Sequence, residues 1–327
     1  MNRVKYISSV FLRMLSLLIG VSIISFILVT NSPIDPLTSY IGAESTLSVE
    51  AKEEIAEHWG LNDPPLERFA SWGKNVLKGD FGTSITYKQQ VSTVILERFK
   101  YSIVLMLVAW CFSGIVGFLI GILAGIYKGS LFDKIIKIFC LALQSAPTFW
   151  IGLLILSLFS VYLGWFPIGF AVPMGKLSLK ITIWDRIYHL ILPALTLSIL
   201  GISRVTLFTR QKLIEILNSD FILFAKARGE NTRQLVIRHG LRNIALPAIT
   251  EQFASFSELF GGIALAETVF SYPGLGTATT AAGLNGDVPL LLGIAIFSAI
   301  FVFVGNFIAN ILYGVLDPRL KEGKYNG

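Results

Sequence analysis

Six blocks of mostly apolar residues, at about 10–30, 101–127, 138–163, 189–208, 246–268 and 288–316, constrain this chain more than any other feature. A helix needs roughly 20 such residues to cross the hydrocarbon core of a bilayer. Charged residues are 15% of the chain, against about 25% in a typical soluble domain, and mean hydropathy is +0.68. The expected fold class is an all-α integral membrane protein with about six transmembrane helices. The fourth block is the least regular, because His189, Pro193, Ser203 and Arg204 interrupt it.

The first block follows Arg3, Lys5 and Arg13, as in an export signal, but the run is long and only Thr30-Asn31-Ser32-Pro33 follows it. It reads as a retained anchor. The expected organisation is an N-terminal anchor over 1–30 and an external segment with short helices over 31–100. A membrane core follows over 101–316, containing a polar loop at 209–245, and a tail at 317–327. With both termini in the cytoplasm, 17 of the 27 Lys and Arg fall on the cytoplasmic side. The positive-inside rule favours that orientation. The net charge of +6 follows from this asymmetry. No basic stripe with interleaved aromatics points to nucleic acid.

In the external segment, Ser48 to Glu57 reads as a capped helix stopped by Pro64-Pro65. Leu66, Phe69, Trp72 and Val76 mark one face of a second. Cys111 and Cys140 lie in spans and are expected to be small buried hydrophobes.

The polar loop carries the strongest functional signal. Asp220-Phe-Ile-Leu-Phe-Ala-Lys-Ala-Arg-Gly229 suits a short helix at the cytoplasmic face, offered to another protein. Ala225, Ala227 and Gly229 are small enough to admit a partner closely, and Gly229 can end the helix. Phe221 and Phe224 are apolar knobs for a groove. Lys226, Arg228, Arg233, Arg238 and Arg242 can equally meet anionic lipid headgroups. No Gly-x4-Gly-Lys-Ser/Thr cradle occurs, since Gly73-Lys74 and Gly175-Lys176 are followed by Asn and Leu. The chain alone is expected to hydrolyse no nucleotide and to be no enzyme.

Polar residues inside spans mark either a pathway or helix-to-helix contacts. Gln144 and Ser145 precede Pro147, which frees backbone groups toward a cavity. Glu251, Ser255 and Glu258 would share one face of the fifth helix. These five are the candidate translocation-pathway residues. Asn306 and Asn310 read as helix-to-helix contacts between subunits. Gly117, Gly121 and Gly125 permit close helix crossing. Tyr272, Pro273 and Gly274 suggest a tight turn at an outer gate.

Several motifs occur in a telling order: Asn62-Asp63-Pro64, Trp72, Gly79-Asp-Phe-Gly-Thr-Ser84, Pro147-x-Phe149-Trp150, Leu163-Gly-Trp-Phe-Pro167, Ala225-Lys-Ala-Arg-Gly229, His239-Gly-Leu-Arg-Asn243, Glu267 to Gly276 and Leu316-Asp-Pro-Arg-Leu320. Together they resemble the membrane permease of dipeptide, oligopeptide and nickel ABC importers. That resemblance implies the type I importer transmembrane fold in a bacterial cytoplasmic membrane. It also implies a second homologous permease, two ATPase subunits that bind ATP and Mg, and an extracytoplasmic substrate-binding protein, with no cofactor in this chain. The family's cytoplasmic loop has the form Glu-Ala-Ala-x3-Gly-x9-Ile-x-Leu-Pro. Here Ala225 and Gly229 match, Leu223 stands in place of the glutamate, and fourteen residues separate Gly229 from Ile244-x-Leu246-Pro247. The resemblance makes residues 221–229 the ATPase-coupling helix. Peptide is the expected substrate and nickel or a metal chelate the alternative. A stand-alone channel or ion-coupled carrier is the different-class alternative, for which an inverted repeat would be expected.

Overall fold

A computed structural model describes residues 3–30, 63–176 and 180–316, and among them regular structure is helical apart from one isolated bridge between Thr83 and Gln90. The expected helix at Ser48–Glu57 and the 317–327 tail lie outside the described residues. The chain divides into two compact units, residues 1–102 with 273–303 and residues 103–272 with 304–327.

The first unit contains α1 (Arg3–Thr30), α2 (Pro65–Leu77) and the start of α3 (Val91–Ile126). Pro65 occupies the first turn of α2, where a missing N–H costs nothing. Phe69 turns toward Phe26 of α1, with ring centroids 5.1 Å apart, and Trp72 lies beside Phe69 at 5.7 Å. Leu66, expected on the same face, is exposed instead. The Gly79–Ser84 turn is anchored through a buried carboxylate. Asp287 accepts from the Ser84 hydroxyl at 2.6 Å and from the Thr86 N–H at 2.9 Å, and it caps the Leu290 N–H at 3.2 Å. A buried carboxylate is tolerable only when its lone pairs are met in this way.

In the second unit α3 is followed by α4 (Leu131–Ser145) and α5 (Thr148–Ile155), which runs on as a π-helical turn to Tyr162. Next come α6 (Ile183–Leu217), α7 (Asp220–Ala227), a turn at Thr232–Gln234 with a π-helical stretch Leu235–Gly240, α8 (Leu241–Ala254) and α9 (Phe256–Val269). The irregular fourth block is in fact one continuous helix of 35 residues. Its apparent interruptions are satisfied internally. His189 pairs through Nδ1 with the Gly169 carbonyl at 2.7 Å, and the Ser203 hydroxyl donates to the Ile199 carbonyl at 3.0 Å.

The glycine stripe of α3 explains how α6 is held. A Cβ on Gly121 would lie 2.7 Å from Thr209 Cβ and 2.8 Å from the Thr206 carbonyl, and one on Gly117 would lie 2.9 Å from the Ile202 carbonyl. Gly201 returns the favour, since its Cβ would sit 2.8 Å from Ser113. Only glycine permits backbones this close. A buried ion pair fixes the other side of α6. Arg210 binds Asp133 of α4 through both Nε and Nη2, and the Gly129 N–H donates to the same carboxylate at 2.8 Å.

Two sequence-defined blocks are not straight spans. The third breaks at Ala146-Pro147, both extended, and the α4 and α5 axes diverge by 111°. Pro147 cannot donate to a continuing ladder. The fifth splits into α8 and α9 at Ser255, whose hydroxyl donates to the Gln252 carbonyl at 2.8 Å. Among the described residues α3, α6 and residues 288–308 of the last helix are each long and apolar enough to cross a bilayer, and the bent α4–α5 pair adds a fourth when it is counted as one broken span. Cys140 is buried as expected, whereas Cys111 is exposed.

The first unit closes with α10 (Leu275–Leu284) and the beginning of α11 (Val288–Leu316). Gly293 of α11 meets Val91 of α3, where an added Cβ would fall 2.5 Å from Val91 Cγ1. The expected gate turn is well packed. Ser271 takes a positive φ of 47°, Tyr272 and Gly274 are buried, and Gly274 opens α10.

Candidate functional site

Two features of the second unit are candidates for function. The first is a polar cavity of about 260 Å³ at the α4–α5 bend, lined by Gln144, Pro147, Thr148, Arg204, Ser255 and Glu258, with the remaining wall built of Ala, Leu and Gly. The bend positions its floor. Because Pro147 and Ala146 are extended, the end of α4 and the start of α5 open toward α6 instead of stacking into one rod. The break at Ser255 then lets the first turn of α9 face the same space.

Three of the five expected pathway residues, Gln144, Ser255 and Glu258, therefore come together. The other two do not line the cavity. The Ser145 hydroxyl donates back to the Leu141 carbonyl at 3.0 Å, and Glu251 lies on α8, before the break that ends the expected straight stripe. The residue missed as a partner is Arg204. Its guanidinium grips Glu258 in a forked pair, with Nη2 to Oε1 at 2.9 Å and Nη1 to Oε2. A second cavity, about 370 Å³, lies between α3 and α8 and is almost wholly apolar. Gln252 on its wall donates to the Trp110 carbonyl and to Ser113 Oγ, which makes it a tie between helices rather than a pathway group. Asn306, expected to contact another subunit, accepts here from the Ser257 hydroxyl of its own chain, and the Asn310 side chain lies outside the described residues.

The second feature is α7. Its end is a Schellman motif: the Gly229 N–H donates to the Lys226 carbonyl at 3.0 Å and the Glu230 N–H to the Ala225 carbonyl at 3.3 Å, with Gly229 at φ 91°. Glycine is the residue this left-handed position favours. Immediately afterwards Asn231 and Gln234 exchange side-chain caps, both at 2.9 Å, and restart the helix. The inner face of α7 is set by burial. Ile222 and Ala225 pack on Leu235, with Ile216 and Leu217 alongside. Ala225, expected to face a partner, is only 6% exposed, so that expectation is corrected. A 3.6-residue period puts 222 and 225 on one side, and the π-helical stretch returns Leu235 beneath them.

The outer face is unusually apolar. Phe221, Leu223 and Phe224 are 49%, 56% and 67% exposed, beside exposed Lys226, Ala227 and Arg228. Contiguous exposed apolar side chains of this size mark a surface for a partner or for lipid. His239 stands behind Phe221, with ring centroids 6.4 Å apart, and pairs through Nε2 with Glu230 at 3.2 Å. That arrangement braces the loop after the glycine.

Comparison with known proteins agrees with this layout. A family profile described as "Binding-protein-dependent transport system inner membrane component" matches residues 117–322. The oligopeptide transport system permease protein AppB of Bacillus subtilis is 35% identical over 311 residues, covering 95% of this chain and 97% of that protein. The di/tripeptide transport system permease protein DppB of Pseudomonas aeruginosa is 32% identical, covering 95% of this chain and 98% of that protein. The dipeptide transport system permease protein DppB of Escherichia coli K12 is 30% identical, covering 94% and 95%. Matched along most of its length by such relatives, and carrying the family domain over residues 117–322, the chain belongs to the binding-protein-dependent transport system inner-membrane components, the membrane permeases of ABC importers.

Proposed function

We propose that this chain forms half of the translocation pathway of an ATP-driven peptide importer. A second homologous permease supplies the other half, two ATPase subunits hydrolyse ATP with Mg, and an extracytoplasmic binding protein delivers the peptide. The termini and α7 face the cytoplasm, and lipid surrounds the spans. The observation that carries the reading is the outer face of α7. Phe221, Leu223 and Phe224 stand exposed on a helix whose other side is locked to its own chain. Such a helix suits a groove on a separate motor subunit and can carry that motor's movement into α6 and α8. Lys226 and Arg228 flank the knobs and suit either an acidic groove rim or headgroups.

The cycle is alternating access. ATP and the loaded binding protein must both favour the outward-facing state, because a ligand shifts an equilibrium only by differential affinity. The cavity at the α4–α5 bend is the pathway segment within this chain, and Tyr272, Pro273 and Gly274 shape the outer gate. Peptide is favoured over nickel because the relatives are named for peptides. Two measurements test the reading. Reconstituted vesicles should take up peptide only when both permeases, both ATPases and the binding protein are present; uptake by this chain alone would establish a channel or carrier instead. Calorimetry of the binding protein should show heat with peptides, whereas heat only with nickel or its chelates would replace the substrate.

A further inference from the structure

We infer that Arg204 and Glu258 form a two-ended station for the zwitterionic termini of a free peptide, the guanidinium taking the terminal carboxylate and the Glu258 carboxylate taking the terminal ammonium. The inference rests on the peptide-permease reading and adds which chemical groups of the cargo this chain recognises.

Three observations carry it. Arg204 and Glu258 are the two charged residues that line the polar cavity, and they come from different helices, α6 and α9. The guanidinium already presents its two terminal nitrogens to a carboxylate, the geometry in which arginine binds carboxylates most strongly. The ends of a free peptide offer the same two charges with the same signs, and they lie up to about 10 Å apart in a tripeptide, so one zwitterion can meet both partners once the pair has parted.

Magnitude decides whether that exchange is feasible. Within this chain the side chains of Arg204 and Glu258 are 39% and 63% exposed, and a pair that water reaches to that extent in the pathway contributes only about 0–1 kcal/mol. The other Arg–carboxylate pair of this unit behaves oppositely. Arg210 and Asp133 are 15% and 4% exposed, with a backbone N–H also committed, and breaking such a pair costs about 3–5 kcal/mol. Arg210–Asp133 is built to stay closed, and Arg204–Glu258 is built to open. The cavity's 260 Å³ falls just below the ~300–1,000 Å³ of small-ligand sites. A small, wet station of this kind holds cargo briefly, as a pathway must. Gln144 and Thr148 add uncharged hydrogen-bonding groups for the peptide amides, while the Ala, Leu and Gly walls leave side chains unread.

The test uses the whole transporter with four probes: trialanine, N-acetyl-trialanine, trialanine amide and the doubly blocked compound. Initial uptake is measured for wild type, Glu258→Gln and Arg204→Gln. Thermal unfolding of each purified complex with each probe, without binding protein, gives a readout independent of delivery. Losing one charge-assisted contact should weaken handling of the matching terminus about tenfold. Glu258→Gln should therefore impair the probes with a free ammonium and spare the acetylated ones. Arg204→Gln should impair the probes with a free carboxylate and spare the amides. Equal losses for all four probes would make the pair a structural latch and overturn the inference, as would no change in either variant. If the wild-type complex takes up none of the four, the peptide-permease reading itself fails.

Discussion

At the scale of single residues, close packing and charge pairing set the tightest limits. Gly121 has no room for even one methyl group, since its Cβ would meet Thr209 Cβ at 2.7 Å. Gly121→Ala should destabilise the purified chain by about 1–3 kcal/mol through overpacking. Gly261→Ala is the control, because among the described residues no atom outside its own helical turn lies within 4 Å of its Cβ position, and thermal unfolding in detergent should separate the two. Asp133→Asn should cost more, about 3–5 kcal/mol, because it leaves Arg210 buried without its counter-charge. Replacing both residues with apolar ones of similar volume should recover much of that loss, read as partial restoration of the unfolding temperature. The glycine stripe was legible in the sequence, because a four-residue spacing on a helix is a local pattern. The two ion pairs were not. Arg204 and Glu258 are 54 positions apart and Arg210 and Asp133 are 77 apart, so no local spacing linked either pair.

At the scale of elements, prolines and glycines set where helices bend and stop. The end of α7 at Gly229 was readable from composition alone, since glycine after a short amphipathic run is a stop signal. Its inner face was not, because that depends on the π-helical return of Leu235, which leaves no period in the sequence. Ala225 was accordingly assigned to the wrong side. Gly229→Val forces a β-branched residue to a φ of 91° and should unravel the Schellman closure. It should lower transport at least several-fold while leaving membrane insertion intact, checked by uptake alongside membrane-fraction yield. The bend at Pro147 illustrates the same limit. Proline announced that the ladder would be interrupted beside a cavity, but not that α5 would turn by 111°.

At the scale of the whole molecule, the account is one of division of labour. This chain provides apolar spans, a cavity with one exposed ion pair, and a short helix with a greasy outer face; in the proposed importer the fuel-burning chemistry falls to partners. Its class was legible from hydropathy, and its family from the ordered motifs, because both are properties summed over many residues. The number of straight spans was less legible, since length and composition cannot reveal breaks such as those at Pro147 and Ser255. The most direct test of coupling through α7 is the ratio of peptide uptake to ATP hydrolysis in the reconstituted importer carrying Phe221→Asp and Phe224→Asp. Coupling through this face predicts that uptake falls at least tenfold while the complex still inserts and the ATPases still turn over without stimulation by loaded binding protein. Uptake and stimulation at wild-type levels in that variant would show that the motor engages this chain somewhere else.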